Sequence, residues 1–237
     1  MLRVLSFGLL LFLLGASSAT DHIIASFSNL QPGEGIRGWE PLRLGRAPET
    51  RYTTVRDEGT TVVRATASKS ASGMIRRIRI DTDQTPILTW RWKIAGVIPN
   101  GNVTRRDGDD YPARIYVTFD YDPANLSFGD RVTYRALRAL GYRELPVRAI
   151  NYIWANRASE TSPVPNPYTD WVQMIPVESG PSRAGQWRTE TRDVAADYRR
   201  VFGEEPPPIS GIAIMTDADN TEGAATAYYG DIRMRSR

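Results

Sequence analysis

The chain has 237 residues, 41% hydrophobic and 24% charged, which suits a folded domain with a sizeable core rather than a disordered segment. It contains no cysteine and one histidine, His22, which excludes disulfides, thiol catalysis, cysteine-ligated metals and serine–histidine triads. A formal net charge of +3 is too small an excess for a nucleic-acid partner.

At the start, Met1-Leu2-Arg3 precedes an apolar run over 4–14 and small residues at Ser17 and Ala19. This pattern reads as a secretory signal peptide over 1–19, cleaved near Ala19. The run is shorter than the ~20 residues of a membrane-spanning helix. The expected product is a periplasmic or secreted protein, residues 20–237, with no membrane span after cleavage.

Short strands are then expected at 23–27, 51–55, 60–67, 73–80, 87–94 and 113–119, punctuated by turn signals such as Asp57-Glu58-Gly59. In 87–94, Leu88, Trp90, Trp92 and Ile94 share one face. In 113–119, Ala113, Ile115, Val117 and Phe119 do so, leaving Arg114, Tyr116 and Thr118 opposite. A helix is predicted at 128–140, from the spacing of Phe128, Val132, Leu137 and Leu140, with Gly141 as its stop. Ile150, Tyr152 and Trp154 alternate as in extended chain, and Pro163, Pro165 and Pro167 stiffen the loop that follows. Strands at 171–177 and 186–191 precede a short helix capped by Asp193 and stopped by Gly203. The last strands are expected at 209–216 and 227–234. Short strands at regular spacing with two short helices predict an all-β sandwich. The expected organisation is one domain over 20–237, with a helix-containing insertion near 125–170.

Four clusters could carry chemistry. Trp90 and Trp92 lie two apart on a strand: they either fill the core or offer sugars a stacking surface. The segment from Arg105 to Arg114 holds Asp107, Asp109 and Asp110 just before a strand. Such carboxylates can act as acid and base, bind calcium, accept sugar hydroxyls, or simply pair with neighbouring arginines. Asp217, Asp219 and Asn220 are hard oxygen donors suited to a structural calcium, although Glu222 stands where a helix–loop–helix calcium loop needs glycine. Tyr152, Trp154, Asn156, Asn166 and Tyr168 combine aromatic and amide groups beside the proline loop, as either a carbohydrate groove or an internal interface would. No phosphate-cradling loop, dinucleotide fingerprint or nucleophile elbow occurs, so no cofactor is expected.

Leu88-Thr89-Trp90-Arg91-Trp92-Lys93, Asp109-Asp110-Tyr111-Pro112-Ala113-Arg114, Ala149-Ile150-Asn151-Tyr152-Ile153-Trp154 and the run from Gly211 to Thr221 together resemble the exported bacterial family labelled domain of unknown function 3047. Tyr228-Tyr229-Gly230-Asp231-Ile232 extends the resemblance, which covers nearly all of the chain after the signal segment. The Trp-Arg-Trp-Lys strand and the closing Tyr-Tyr-Gly-Asp-Ile strand also resemble galactose-binding-like jelly-roll carbohydrate-binding modules. That second resemblance implies a jelly roll, a glycan ligand and, in many such modules, a structural calcium.

The expected function is binding of cell-envelope or exported polysaccharide. Asp109, Asp110, Arg114 and Tyr116 would make polar contacts, with Tyr152, Trp154 and Asn166 as an aromatic and amide wall. The alternatives are a polysaccharide hydrolase or lyase pairing Asp109 or Asp110 with Asp217 or Asp219, and a periplasmic assembly or interaction protein.

Overall fold

The computed structural model describes residues 21–43, 45, 47–139 and 146–237; the segment 1–19 expected to be a signal peptide, Leu140 and Gly141 lie outside the described residues. The strands are β1 (His22–Ala25), β2 (Glu40–Arg43), β3 (Arg51–Asp57), β4 (Thr60–Ser68), β5 (Ala71–Ile80), β6 (Ile87–Ile94), β7 (Arg114–Phe119), β8 (Ala149–Ala155), β9 (Val164–Asn166), β10 (Thr169–Ser179), β11 (Arg188–Asp193), β12 (Ile209–Asp217) and β13 (Ala224–Arg235). Among the described residues two α-helices join them, α1 (Phe128–Ala139) and α2 (Val194–Phe202).

The strands form a sandwich of two sheets. The first runs β11-β6-β13-β4-β3, with β1 also paired to β13, and the second runs β2-β5-β12-β7-β8-β10-β9. The pairs are antiparallel except β8 with β10. Between the sheets lies a core that includes Trp90, Trp92, Ile115, Val117, Tyr152, Trp154, Ile212, Ile214 and Tyr229. Strand alternation accounts for this choice, because the inward set on each strand is the apolar one. Trp90 and Trp92 are core residues, packed edge to face at 5.4 Å, so the stacking-surface alternative for them falls.

Turn chemistry follows the sequence at several points. The Asp193 carboxylate accepts the Ala196 N–H at 2.9 Å and caps α2, and Gly203 ends that helix at φ 71°, where a side chain would be strained. β9 contains Pro165 and is tolerated because it lies at the edge of its sheet.

One expectation needs correction and another is met with an unexpected exposure. Residues 149–155, assigned to an insertion, form β8 inside the second sheet between β7 and β10. The spacing of Phe128 and Val132 marks a helix correctly, yet both side chains face solvent.

Candidate functional site

The outer face of the second sheet is partly roofed. Val103 and Tyr111, from the segment before β7, pack with Val164 onto Ala149, Ile153, Val172 and Met174. Arg114 is on this face because it alternates with the core residues Ala113 and Ile115. Its side chain is 2% exposed. Its Nε donates to Asp217 Oδ1 at 2.9 Å, and one terminal nitrogen donates to Asp217 Oδ2 and to the Asp109 carbonyl. The other terminal nitrogen donates to the Tyr116 hydroxyl at 3.2 Å and lies 3.9 Å from Asp109 Oδ1. The Tyr111 ring covers the guanidinium at 4.3 Å.

Arg114 is thus the hub of a cluster containing Asp109, Asp110, Asp217 and Asp219. Burial pushes Asp217 above the ordinary carboxylate range; Arg114 pulls against it, while Asp110 and Asp109 add to it. Asp109 is raised by burial, with Arg114 and the Asn166 amide opposing. Asp219 is raised by burial and then by Asp110. Burial also pushes Tyr116 up to about 12.

Asp110 is sealed from solvent and holds the loop after β12. Its oxygens accept the N–H groups of Asn220 and Thr221 and the Thr221 hydroxyl, at 3.2, 2.6 and 2.6 Å. Asn156 braces the same loop pair: its Oδ1 accepts the Ile98 N–H and its Nδ2 donates to the Asp110 carbonyl, each at 2.7 Å.

At the rim stands Tyr168, 52% exposed. Its hydroxyl accepts from Asn220 Nδ2 at 2.8 Å and donates to the Arg106 carbonyl at 3.2 Å, and the Arg106 guanidinium lies 5.3 Å from the ring centroid. The Asn166 Oδ1 accepts the Tyr168 N–H at 3.0 Å while its Nδ2 donates to Asp109 Oδ2 at 3.1 Å. Asp109 Oδ1 and the Tyr111 hydroxyl are buried without hydrogen-bond partners among the described residues.

The fold therefore brings together Asp109, Asp110, Arg114, Tyr116, Asn166, Asp217, Asp219 and Asn220, drawn from distant parts of the sequence. Tyr152 and Trp154 are elsewhere, which corrects their assignment to a binding wall. Both face the core: Tyr152 stacks on Trp90 at 5.3 Å and donates to Asp197, and Trp154 lies 5.9 Å from Trp92 and donates to the Gly180 carbonyl. Their alternation with Ile150 placed them inward, and Tyr152 pairs with the core residue Ile115. Tyr168, named in the aromatic and amide cluster but not among the expected contact residues, takes the central place at the rim, and Arg106 beside it was not expected there. A tyrosine directly after a proline-stiffened turn was the available signal.

Asp110, Asp217 and Asp219 each bring a carboxylate oxygen within 4.8 Å of the others, which meets the first need of a hard cation. Calcium takes about six to eight oxygens, however. Here Arg114 and the Tyr111 N–H occupy Asp217, N–H and O–H donors occupy Asp110, and Asn220 turns its amide nitrogen to Tyr168. The oxygens of Asp110 and Asp217 are committed within the protein, so the Asp219 carboxylate and the Asn220 Oδ1 by themselves are too few donors for a calcium centre as the residues stand. The same commitments leave Asp110 and Asp217 unable to reach a glycosidic bond, so the paired-aspartate reading lacks an accessible pair that includes either.

Comparison with solved structures finds general likeness to other β proteins. One is a family 11 carbohydrate-binding module of a cellulosomal cellulase of Clostridium thermocellum, at 11% identity and TM-score 0.45, covering 93% of this chain and 97% of that one. Another is a family 29 carbohydrate-binding module complexed with cellulohexaose, at 9% identity and TM-score 0.39, covering 93% of each chain. A third is endoglucanase 3 of Trichoderma harzianum, from family GH12, at 8% identity and TM-score 0.43, covering 94% and 99%. A search of curated proteins finds no match. The family model described as "Protein of unknown function (DUF3047)" matches residues 37–233, and the chain belongs to that family.

Proposed function

We propose that this is an exported carbohydrate-binding protein that contacts cell-envelope or secreted polysaccharide through the rim around Tyr168. The observation that carries the reading is an exposed tyrosine ring set among amides and carboxylates. A pyranose offers an apolar C–H face to stack on such a ring, and its hydroxyls need fixed donors and acceptors around it. Asn166, Asn220 and Asp219 supply acceptors, Arg106 and the amide nitrogens supply donors, and the buried Asp109 carboxylate positions Asn166. The buried Arg114 cluster holds these loops in place, so the rim is pre-organised and loses little entropy on binding.

The test is affinity electrophoresis and calorimetry of the chain from Thr20 against peptidoglycan fragments and soluble envelope polysaccharides, with released fragments followed by mass spectrometry. Binding without fragments, weakened about tenfold or more by Tyr168→Ala, is expected. Binding that survives Tyr168→Ala and Asp109→Asn overturns the site. Absence of binding by the parent overturns the function and directs attention to protein partners.

A further inference from the structure

Helix α1 presents an arrangement that the sandwich does not require. Ser127 caps its N-terminus: its hydroxyl accepts the Asp130 N–H at 3.1 Å and donates to the Asp130 carboxylate at 2.6 Å. One side is anchored, because Tyr134 packs edge to face on Trp171 at 6.1 Å, beside Leu126 and Val147. The other side is open. Phe128 is 77% exposed and Val132 51%, and Ala136 and Ala139 are exposed as well. At 100° per residue these four positions lie within one quadrant of the helix. Arg131, Arg135 and Arg138 form the adjoining row, and Asp130, the helix's acidic residue, lies away from both.

We infer that α1 is a docking element for an anionic lipid surface, lying in the plane of the interface. An exposed phenylalanine and valine would enter the boundary between headgroups and acyl chains, while the arginine row meets lipid phosphates. Charge complementarity selects this occupant: a second copy would set the same arginine row against itself, whereas a bilayer rich in phosphatidylglycerol neutralises it. At 12 residues the helix spans about 18 Å, too short to cross the ~30 Å hydrocarbon core, so it lies on the membrane. Among the described residues no helix is long and apolar enough to cross. This inference is independent of the glycan reading.

The experiment uses the chain from Thr20, which carries every described element, with vesicles of phosphatidylglycerol and phosphatidylethanolamine and with neutral phosphatidylcholine vesicles. Flotation should show binding to the anionic vesicles only, falling as salt rises because the Debye length shrinks from about 10 Å at 0.1 M to about 3 Å at 1 M. Phe128→Ser with Val132→Ser should weaken partition about tenfold or more through lost apolar insertion. Replacing Arg131, Arg135 and Arg138 by glutamine should weaken it about a hundredfold, roughly fivefold per arginine. Circular dichroism and glycan affinity should stay unchanged in both variants. No binding by the parent, equal binding by the variants, or sedimentation showing a dimer dissolved by the serine variant would each overturn the inference.

Discussion

Replacing Arg114 by methionine tests whether this residue is the keystone of the acidic cluster. Methionine keeps the apolar stem but removes the guanidinium, which donates to both Asp217 oxygens, to the Asp109 carbonyl and to Tyr116. Asp217 is then left 2% exposed, near Asp109 and Asp110, with the Tyr111 N–H at 3.0 Å as its remaining hydrogen-bond donor among the described residues. Removing one partner of a buried pair costs about 3–5 kcal/mol, because the other charge stays behind without compensation. Against a total stability of about 5–15 kcal/mol for a typical domain, that is a large share. Urea unfolding followed by tryptophan fluorescence should show the midpoint falling with the slope unchanged. The companion variant Asp217→Asn keeps an acceptor and leaves Arg114 near Asp109, so its cost should be smaller, about 1–3 kcal/mol. A loss below about 1 kcal/mol for Arg114→Met would refute the argument, since no uncompensated charge would then have been created.

Four further outcomes are expected. Trp92→Ala, which opens a cavity between Trp90 and Trp154, should cost about 3–5 kcal/mol in the same urea assay. Gly101→Ala should cost about 1–3 kcal/mol, because the new Cβ collides with the Asn156 amide that braces the Asp110 loop; an unchanged midpoint would show that Asn156 is dispensable there. At Asp57, burial pushes the carboxyl up, but hydrogen bonds from Lys93 and Trp187 prevail and hold it below the ordinary range. Its contribution is therefore complete above the ordinary carboxylate pKa and is lost as pH falls through the lowered value, so Asp57→Asn should flatten that limb of a melting-temperature profile. Millimolar calcium should leave the melting temperature unchanged because Asp110 and Asp217 are already committed to donors within the protein; a rise of several degrees abolished by Asp219→Asn would instead assign a cation to Asp110, Asp217 and Asp219.

Much of the fold was legible in local pattern. Period-two alternation in 87–94 and 113–119 separated core from outer face, and it put Arg114 and Tyr116 outward before any contact was known. Asp193 and Gly203 marked both ends of α2, since capping and the left-handed turn are local requirements. The site was legible as loop composition: Asp109, Asp110, Asn166, Asp217 and Asn220 all came from acidic or amide-rich turns. Its pairing was not. Arg114 meets Asp217 across 103 positions and Asp110 meets Thr221 across 111, and only strand order sets such contacts. Tertiary structure also decided that Tyr152 and Trp154 belong to the core, because the same aromatic residues serve a groove or an interior equally well. It decided the exposure of Phe128 and Val132 too: helical spacing names the residues that share a face, and only packing says whether anything lies against it.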